Sequence, residues 1–250
     1  MQGLSERDRV IVGDVHGHIT LLRHLWRSLQ TDVSDLCQRD VIFIGDLIDR
    51  GPDSRAVLDF VLNVKRGHCV MGNHELALAG ALGLIDAPSE NHWPKRYVSS
   101  YDAAGTFRSY GVEPGDLNGL ARAMPQEHKD FLAALPWAIR GHDYVVVHAG
   151  LLPNMSFGEQ EKALDLRDFT LNRPPWLSDR ALNDAPLPQD CDVTVISGHV
   201  PVSQVTFRDR RILLDVDGGT GQKLAAVLMP ERRAVTVNKG GKALWTSAHE

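Results

Sequence analysis

The 250-residue sequence predicts an α/β fold built on a parallel core. Two observations predict it. Over the first ~80 residues, a short β-rich run ends in a glycine-containing loop and gives way to a helical pattern, three times in succession. Two later strands end the same way, in a small residue beside a side chain able to bind metal. Composition agrees. At 43% apolar and 24% charged, the chain has enough apolar mass for a sizeable core, and low-hydrophobicity disorder is excluded.

The elements follow in order. Val10, Ile11 and Val12 form a strand leading into Gly13-Asp14-Val15-His16-Gly17. Leu21, Leu22, Leu25, Trp26 and Leu29 then share one face of a helix. Val41 to Ile44 form a second strand, and its loop runs Gly45-Asp46-Leu47-Ile48-Asp49-Arg50-Gly51-Pro52. Asp53 or Ser54 is expected to cap the next helix, whose face is Val57, Phe60, Val61 and Val64. Cys69, Val70 and Met71 lead into Gly72-Asn73-His74-Glu75 and an Ala/Leu-rich helix. Residues 84–118 read as short helices and loops, the start of a cap-like insertion spanning about residues 84–135 within a single domain of 1–250. Its Trp93, Tyr97, Tyr101 and Tyr110 are read first as the insertion's own core, with stacking on a nucleobase as the alternative. Phe131, Leu132 and Leu135 suggest a helix ending at Pro136, and strand signal resumes at Trp137. Tyr144 to Val147 form a strand ending His148-Ala149-Gly150, and Val193 to Ile196 form another ending Ser197-Gly198-His199. The proline-bearing stretch 153–190 reads as a long surface excursion. Ile212–Leu214, Leu224–Met229 and Ala234–Val237 close the fold as strands, expected to be antiparallel.

Several classes are excluded. No apolar run approaches the roughly 20 residues of a membrane span. Met1 to Arg9 is polar, without a signal-peptide core. Three cysteines, Cys37, Cys69 and Cys191, lack a CxxC pair, so neither a disulfide framework nor a cysteine-rich zinc site is expected, and a reduced cytoplasmic setting fits. A net charge of -5 argues against a general nucleic-acid coat. The acidity lies in aspartate: 23 Asp against 9 Glu, with 11 His. Aspartate excess serves turns and caps, but Asp oxygen with His nitrogen also suits a divalent metal.

Five loops share one grammar: an apolar strand, a small residue, then a metal-competent side chain. They offer Asp14 and His16, then Asp46, then Asn73 and His74, then His148, then His199. Asp14 and His16 stand two apart in an extended segment and so point to one side. Strand ends converging at a sheet edge would supply about six O/N ligands, enough for two cations.

In order and spacing, these loops resemble the motif series of the calcineurin-like metallophosphoesterases, from about residue 9 to about 229. Within that superfamily the chain looks most like the phosphoprotein-phosphatase (Ser/Thr protein phosphatase) branch in its compact bacterial and phage form. The resemblance implies two mixed β-sheets packed face to face as a sandwich flanked by helices. It implies a dinuclear centre of two divalent ions, Mn²⁺ foremost, with Fe or Zn²⁺ as alternatives. Asp14 and His16 would bind the first ion, Asp46 would bridge, and Asn73, His148 and His199 would complete the second. A metal-bridging hydroxide would attack phosphorus in line. His74 would protonate the leaving oxygen, oriented by Asp49, while Arg50 and Asn73 would contact phosphate oxygens. A second phosphate-binding arginine would be Arg167, with Arg173 as competitor.

The implied substrates are a phosphorylated protein, serine/threonine or dual-specificity, or a small phosphate ester. The alternative is a dinucleoside tetraphosphate, such as diadenosine tetraphosphate, cleaved symmetrically, or another nucleotide pyrophosphate. The symmetrical tetraphosphate hydrolases usually lack the acid before Arg-Gly in the second motif and often end the third in Asp. Asp49 and Glu75 are both present here, which favours phosphomonoesters.

Overall fold

The computed structural model describes residues 2–3 and 8–248. The chain opens with β1 (Gln2–Gly3), β2 (Arg9–Val12), α1 (Ile19–Asp32), β3 (Asp40–Phe43), α2 (Ser54–Leu62), β4 (Gly67–Cys69) and α3 (Asn73–Ala81). Four helices follow: α4 (Trp93–Ser100), α5 (Ala104–Ser109), α6 (Leu117–Ala123) and α7 (Gln126–Ala134). Then come β5 (Ala138–Arg140), β6 (Tyr144–Val147), α8 (Phe157–Leu166), α9 (Pro175–Ser178) and β7 (Thr194–Ser197). The chain closes with β8 (Thr206–Arg208), β9 (Arg211–Leu213), β10 (Lys223–Met229), β11 (Arg233–Asn238) and β12 (Ala243–Ser247).

Two six-stranded mixed sheets form, ordered β1-β5-β6-β7-β9-β8 and β12-β11-β10-β2-β3-β4. In the second, β2, β3 and β4 run parallel, and β10 pairs antiparallel with β2. The side chains explain the sandwich. Successive strand residues point to opposite faces. Thus Ile11, Ile42, Ile44 and Val70 pack with Tyr144, Val146, Ile196 and Ile212 between the sheets. Val10, Val12, Val41 and Phe43 instead pack with Leu22, Leu25, Leu29 and Val57 of the helices. A strand covered on both faces reads as a continuous apolar run, which is why these strands were visible in sequence.

Some expectations are corrected. Neither expected cap of α2 acts as one: Asp53 occupies the N-cap without a side-chain bond, and Ser54 Oγ is turned inward to accept from Asp49 N at 3.0 Å. The 153–190 excursion carries α8 and α9, with Phe157, Leu164, Trp176 and Leu177 buried. Ser156 and Glu159 reciprocally cap α8, a local signal that proline content had masked. β9 is parallel to β7 and antiparallel only to β8. β8 and β12, both sheet edges, were not foreseen, because half-exposed edge strands lack an apolar run.

Residues 84–135 hold α4 to α7; α4 and α7 contact α3, and α5 contacts α2. Trp93, Tyr97 and Tyr110 are buried, so the core reading holds for them, whereas Tyr101 is half-buried. No helix among the described residues is long and apolar enough to cross a membrane, and all three cysteines are free thiols.

Candidate active site

Each sheet contributes strand ends to one place. Asp14 and His16 follow β2, Asp46, Asp49 and Arg50 follow β3, and Asn73 and His74 open α3 just beyond β4. His148 follows β6 and His199 follows β7, from the other sheet. The loops are held in uncommon backbone. His16, Asp46, Asp49, Arg50 and His199 all have φ between 46° and 69°. Non-glycine residues there carry strain, which clusters where side chains must be aimed rather than where packing is cheapest. The close approach of loops is permitted by glycine: a Cβ on Gly45 would lie 2.5 Å from Gly72 N.

Asp46 is the centre. Its Oδ2 lies 3.3 Å from His148 Nε2, 3.6 Å from His16 Nε2 and 3.9 Å from His74 Nε2. Two donor groups result, His16–Asp46–His74 and Asp46–His148–His199, each with its ligand atoms within 4.8 Å of one another. Asn73 Oδ1 joins the second, 3.1 Å from His148 Nε2.

Hydrogen bonds set which imidazole nitrogens face inward. His16 Nδ1 lies 3.0 Å from Ile48 O, and His148 Nδ1 lies 2.8 Å from Ile44 O. A carbonyl only accepts, so each Nδ1 carries a proton and each Nε2 is the nitrogen turned to the centre. Burial pushes His16 well below the ordinary histidine range, and burial plus His148 brings His199 down to about 4. Both are therefore neutral and ligand-competent. Burial opposes charge on His148 too, but the Asp46 carboxylate outweighs it and raises His148 to about 10.

A cation fits this donor set. Asp14 Oδ1 and His199 Nε2 are buried polar atoms without a hydrogen-bond partner. Asp14 Oδ2 accepts from His199 N at 3.0 Å, yet burial and the neighbouring Asp215 raise the Asp14 carboxyl well above its usual range. Buried carboxylates and orphaned lone pairs converging on one space call for positive charge.

Beside this centre stands the Asp49–His74 pair. His74 Nδ1 donates to Asp49 Oδ2 at 2.8 Å, leaving Nε2 toward the cleft. Burial disfavours the His74 imidazolium, but Asp46 and Asp49 together raise its pKa. Arg50 Nη1 donates to Gly218 O at 2.7 Å, which aims the guanidinium across the mouth. The open cleft, about 490 Å³, is lined by Arg50, Asn73, His74, Arg96, Tyr101 and Arg173, among others.

The two candidate second arginines separate. Arg167 ends α8 and donates to Leu135 O at 2.9 Å, with its guanidinium over Phe169, and it does not line the cleft. Arg173 does line it, with Nη2 donating to Ser178 O at 3.1 Å. All the other motif residues converge.

Sequence reasoning missed several neighbours. Glu75, quoted in its motif but given no role, accepts from Asp46 N, Leu47 N and Gly72 N at 2.8, 2.8 and 3.0 Å, tying two loops together. Burial and Asp46 raise its carboxyl to about 7. Asp215 sits buried behind Asp14 and binds Gly218 N at 2.7 Å, shaping the loop that holds Arg50. It follows an apolar run directly, as Leu214-Asp215-Val216-Asp217-Gly218, without the small residue that precedes the ligand in the other loops, so its signal was only partial. Arg96 gave no signal, being a cation in a helical stretch, whereas Tyr101 was among the aromatics with a stacking alternative.

These strand-end carboxylates and imidazoles, astride two sheets, define a metal-dependent phosphoesterase. The Calcineurin-like phosphoesterase family model matches residues 9–228, and the chain belongs to that family. It is 25% identical over 272 residues to the symmetrical bis(5'-nucleosyl)-tetraphosphatase of Burkholderia thailandensis, covering 92% of this chain and 93% of that protein. It is 24% identical over 243 residues to the asymmetrical bis(5'-nucleosyl)-tetraphosphatase PrpE of Oceanobacillus iheyensis, covering 91% and 90%. A crystal structure provisionally assigned as a diadenosine tetraphosphatase shares the fold, with a TM-score of 0.60, 23% identity and coverage of 98% and 96%.

Proposed function

We propose that this phosphoesterase cleaves dinucleoside tetraphosphates, with diadenosine tetraphosphate as the test substrate. The observation that carries the reading is the cleft. Three arginines, Arg50, Arg96 and Arg173, line one cleft beside the donor groups. A single phosphoryl group needs fewer guanidinium forks; a polyphosphate chain can use all three. Half-buried Tyr101 stands in the same wall and offers a ring to a base. The tetraphosphatase names of the two relatives support the same substrate.

In this reading Asp14, His16, Asp46, Asn73, His148 and His199 hold two divalent ions, Mn²⁺ first among the candidates. The ions would supply Lewis acidity and activate water. Arg50 and Arg173 bind phosphate oxygens in the cleft beside the donor groups. Water supplies the oxygen that phosphorus gains. The electron pair of the broken P–O bond stays on the leaving oxygen, and His74 Nε2 gives its proton there. Asp49 keeps the His74 ring in place and offsets its charge. The test is chromatography of diadenosine tetraphosphate digests with Mn²⁺, beside a panel of phosphopeptides. Cleavage of diadenosine tetraphosphate, to two ADP if symmetrical or to AMP and ATP if asymmetrical, faster than release of phosphate from any phosphopeptide is expected; the reverse overturns the substrate assignment.

One observation favours the second reading, a Ser/Thr protein phosphatase acting on phosphomonoesters. Asp49 is fully buried and bound to His74, an arrangement that delivers a proton. An alkoxide leaving from serine needs that proton far more than a nucleotide phosphate does. The same panel decides between them.

A further inference from the structure

The carboxylate behind His74 is held from a part of the chain remote from every motif. Asp49 Oδ2 faces His74; Asp49 Oδ1 faces away and accepts two hydroxyls, Tyr97 Oη at 2.7 Å from α4 and Thr106 Oγ1 at 2.6 Å from α5. Proton counting orders the network. Tyr97 and Thr106 have one hydroxyl proton each, and both are directed to Asp49 Oδ1. Thr106 Oγ1 then accepts, from Asp49 N at 3.1 Å and from Ser54 Oγ at 2.8 Å. Ser54 Oγ in turn accepts from Asp49 N at 3.0 Å. The carboxylate, both hydroxyls and Ser54 are fully buried, so water does not substitute for any of them.

Tyr97 and Thr106 touch neither the cleft nor the metal-binding groups. The route of their hydroxyls to the chemistry is the orientation of Asp49, and through it of His74; the Tyr97 ring also packs on Tyr101, a contact that Tyr97→Phe keeps. Asp49 needs that support, because its own backbone lies at φ 69°. A carboxylate with one oxygen free would rotate and lose its line to the His74 ring.

We propose that Tyr97 and Thr106 are positioning residues for proton delivery, so that α4 and α5 set how well the enzyme expels a poor leaving group. This rests on the reading of His74 as the proton donor given above.

The test compares two phosphomonoesters on the Mn²⁺-loaded protein. Phenyl phosphate leaves as a phenol with a pKa of about 10, as for tyrosine; p-nitrophenyl phosphate leaves as a far more acidic phenol and needs the proton less. Tyr97→Phe and Thr106→Val each remove a hydroxyl and keep the volume. Each is expected to lower kcat on phenyl phosphate about tenfold or more, with KM within about twofold, and to lower kcat on p-nitrophenyl phosphate less than about threefold. Thr106→Ser, which keeps the hydroxyl, is expected to stay within about threefold of the parent on both. Equal losses on both substrates for both hydroxyl-deleting variants would show a merely structural role and overturn the proposal; so would no loss on either. His74→Asn is the control for the underlying reading. If its loss does not depend on the leaving group, the proton-donor assignment fails and takes this proposal with it. If His74→Asn shows the dependence and the two variants do not, the proposal alone fails.

Discussion

One oxygen, Asp46 Oδ2, lies within 4 Å of three imidazoles and so serves both donor groups at once. Asp46→Asn removes the negative charge and one of the two oxygen donors at that position and is expected to lower bound Mn²⁺, measured by elemental analysis, from two per chain to one or fewer. Turnover should fall at least about 100-fold. A second residue prediction concerns pH. To bind a cation, His148 must give up its Nε2 proton. Burial lowers its pKa, but Asp46 raises it further, to about 10, so the metal-free protein keeps that proton at neutral pH. Each unit of pH rise below that value makes the deprotonated form ten times more available. Apparent Mn²⁺ affinity is therefore expected to rise about tenfold per unit between pH 6 and 8, with about one proton released on binding, both readable by calorimetry. His16 and His199, held low by burial, do not compete with protons in that window.

At the scale of elements, α5 presses its backbone against the loop that carries Asp49 and Arg50. A Cβ on Gly105 would lie 2.1 Å from Gly51 O, a clash with backbone that a rotamer change does not relieve. Gly105→Ala is expected to keep the fold and to lower kcat at least about tenfold, since a misplacement near 1 Å suffices. α1 shows the opposite kind of sensitivity. Its Leu22, Leu25 and Leu29 are completely buried at helical spacing. Leu25→Ala should lower unfolding free energy by about 2–5 kcal/mol in a denaturant titration and leave kcat nearly unchanged. The amphipathic stripe of α1 and the parallel strands were legible because burial imposes a local period on the sequence. The role of α4 and α5 was not. Tyr97 and Thr106 stand 48 and 57 residues from Asp49. A buried tyrosine and threonine in helices look like ordinary core from their neighbours alone. Arg167 misled for a related reason: chain order placed it between the right strands, but its guanidinium is consumed by the carbonyl of Leu135.

At the scale of the whole molecule, the site is a seam. Strand ends from one sheet carry Asp14, Asp46 and Asn73, and those from the other carry His148 and His199. A bound ion therefore joins two layers that otherwise meet through apolar side chains. Chelation is expected to abolish turnover and to lower the melting temperature by several degrees, with Mn²⁺ restoring both; an unchanged melting curve would show that the ions do not bridge the layers. The motif loops made the seam's chemistry legible in sequence, because a strand end needs only its own few residues to be recognised. Edge strands β8 and β12 were not legible, since solvent on one side relaxes the pattern.

The pairing of β2 with β10 has a consequence for how the protein is made. β2 is synthesised well before its antiparallel neighbour, Lys223–Met229. Until that late segment is synthesised, β2 has β3 on one side and an open edge on the other. The nascent chain thus carries all the candidate ligand residues before its sheet is closed. An unpaired apolar edge of that kind invites association with other chains, and it stays open until Met229 has been translated.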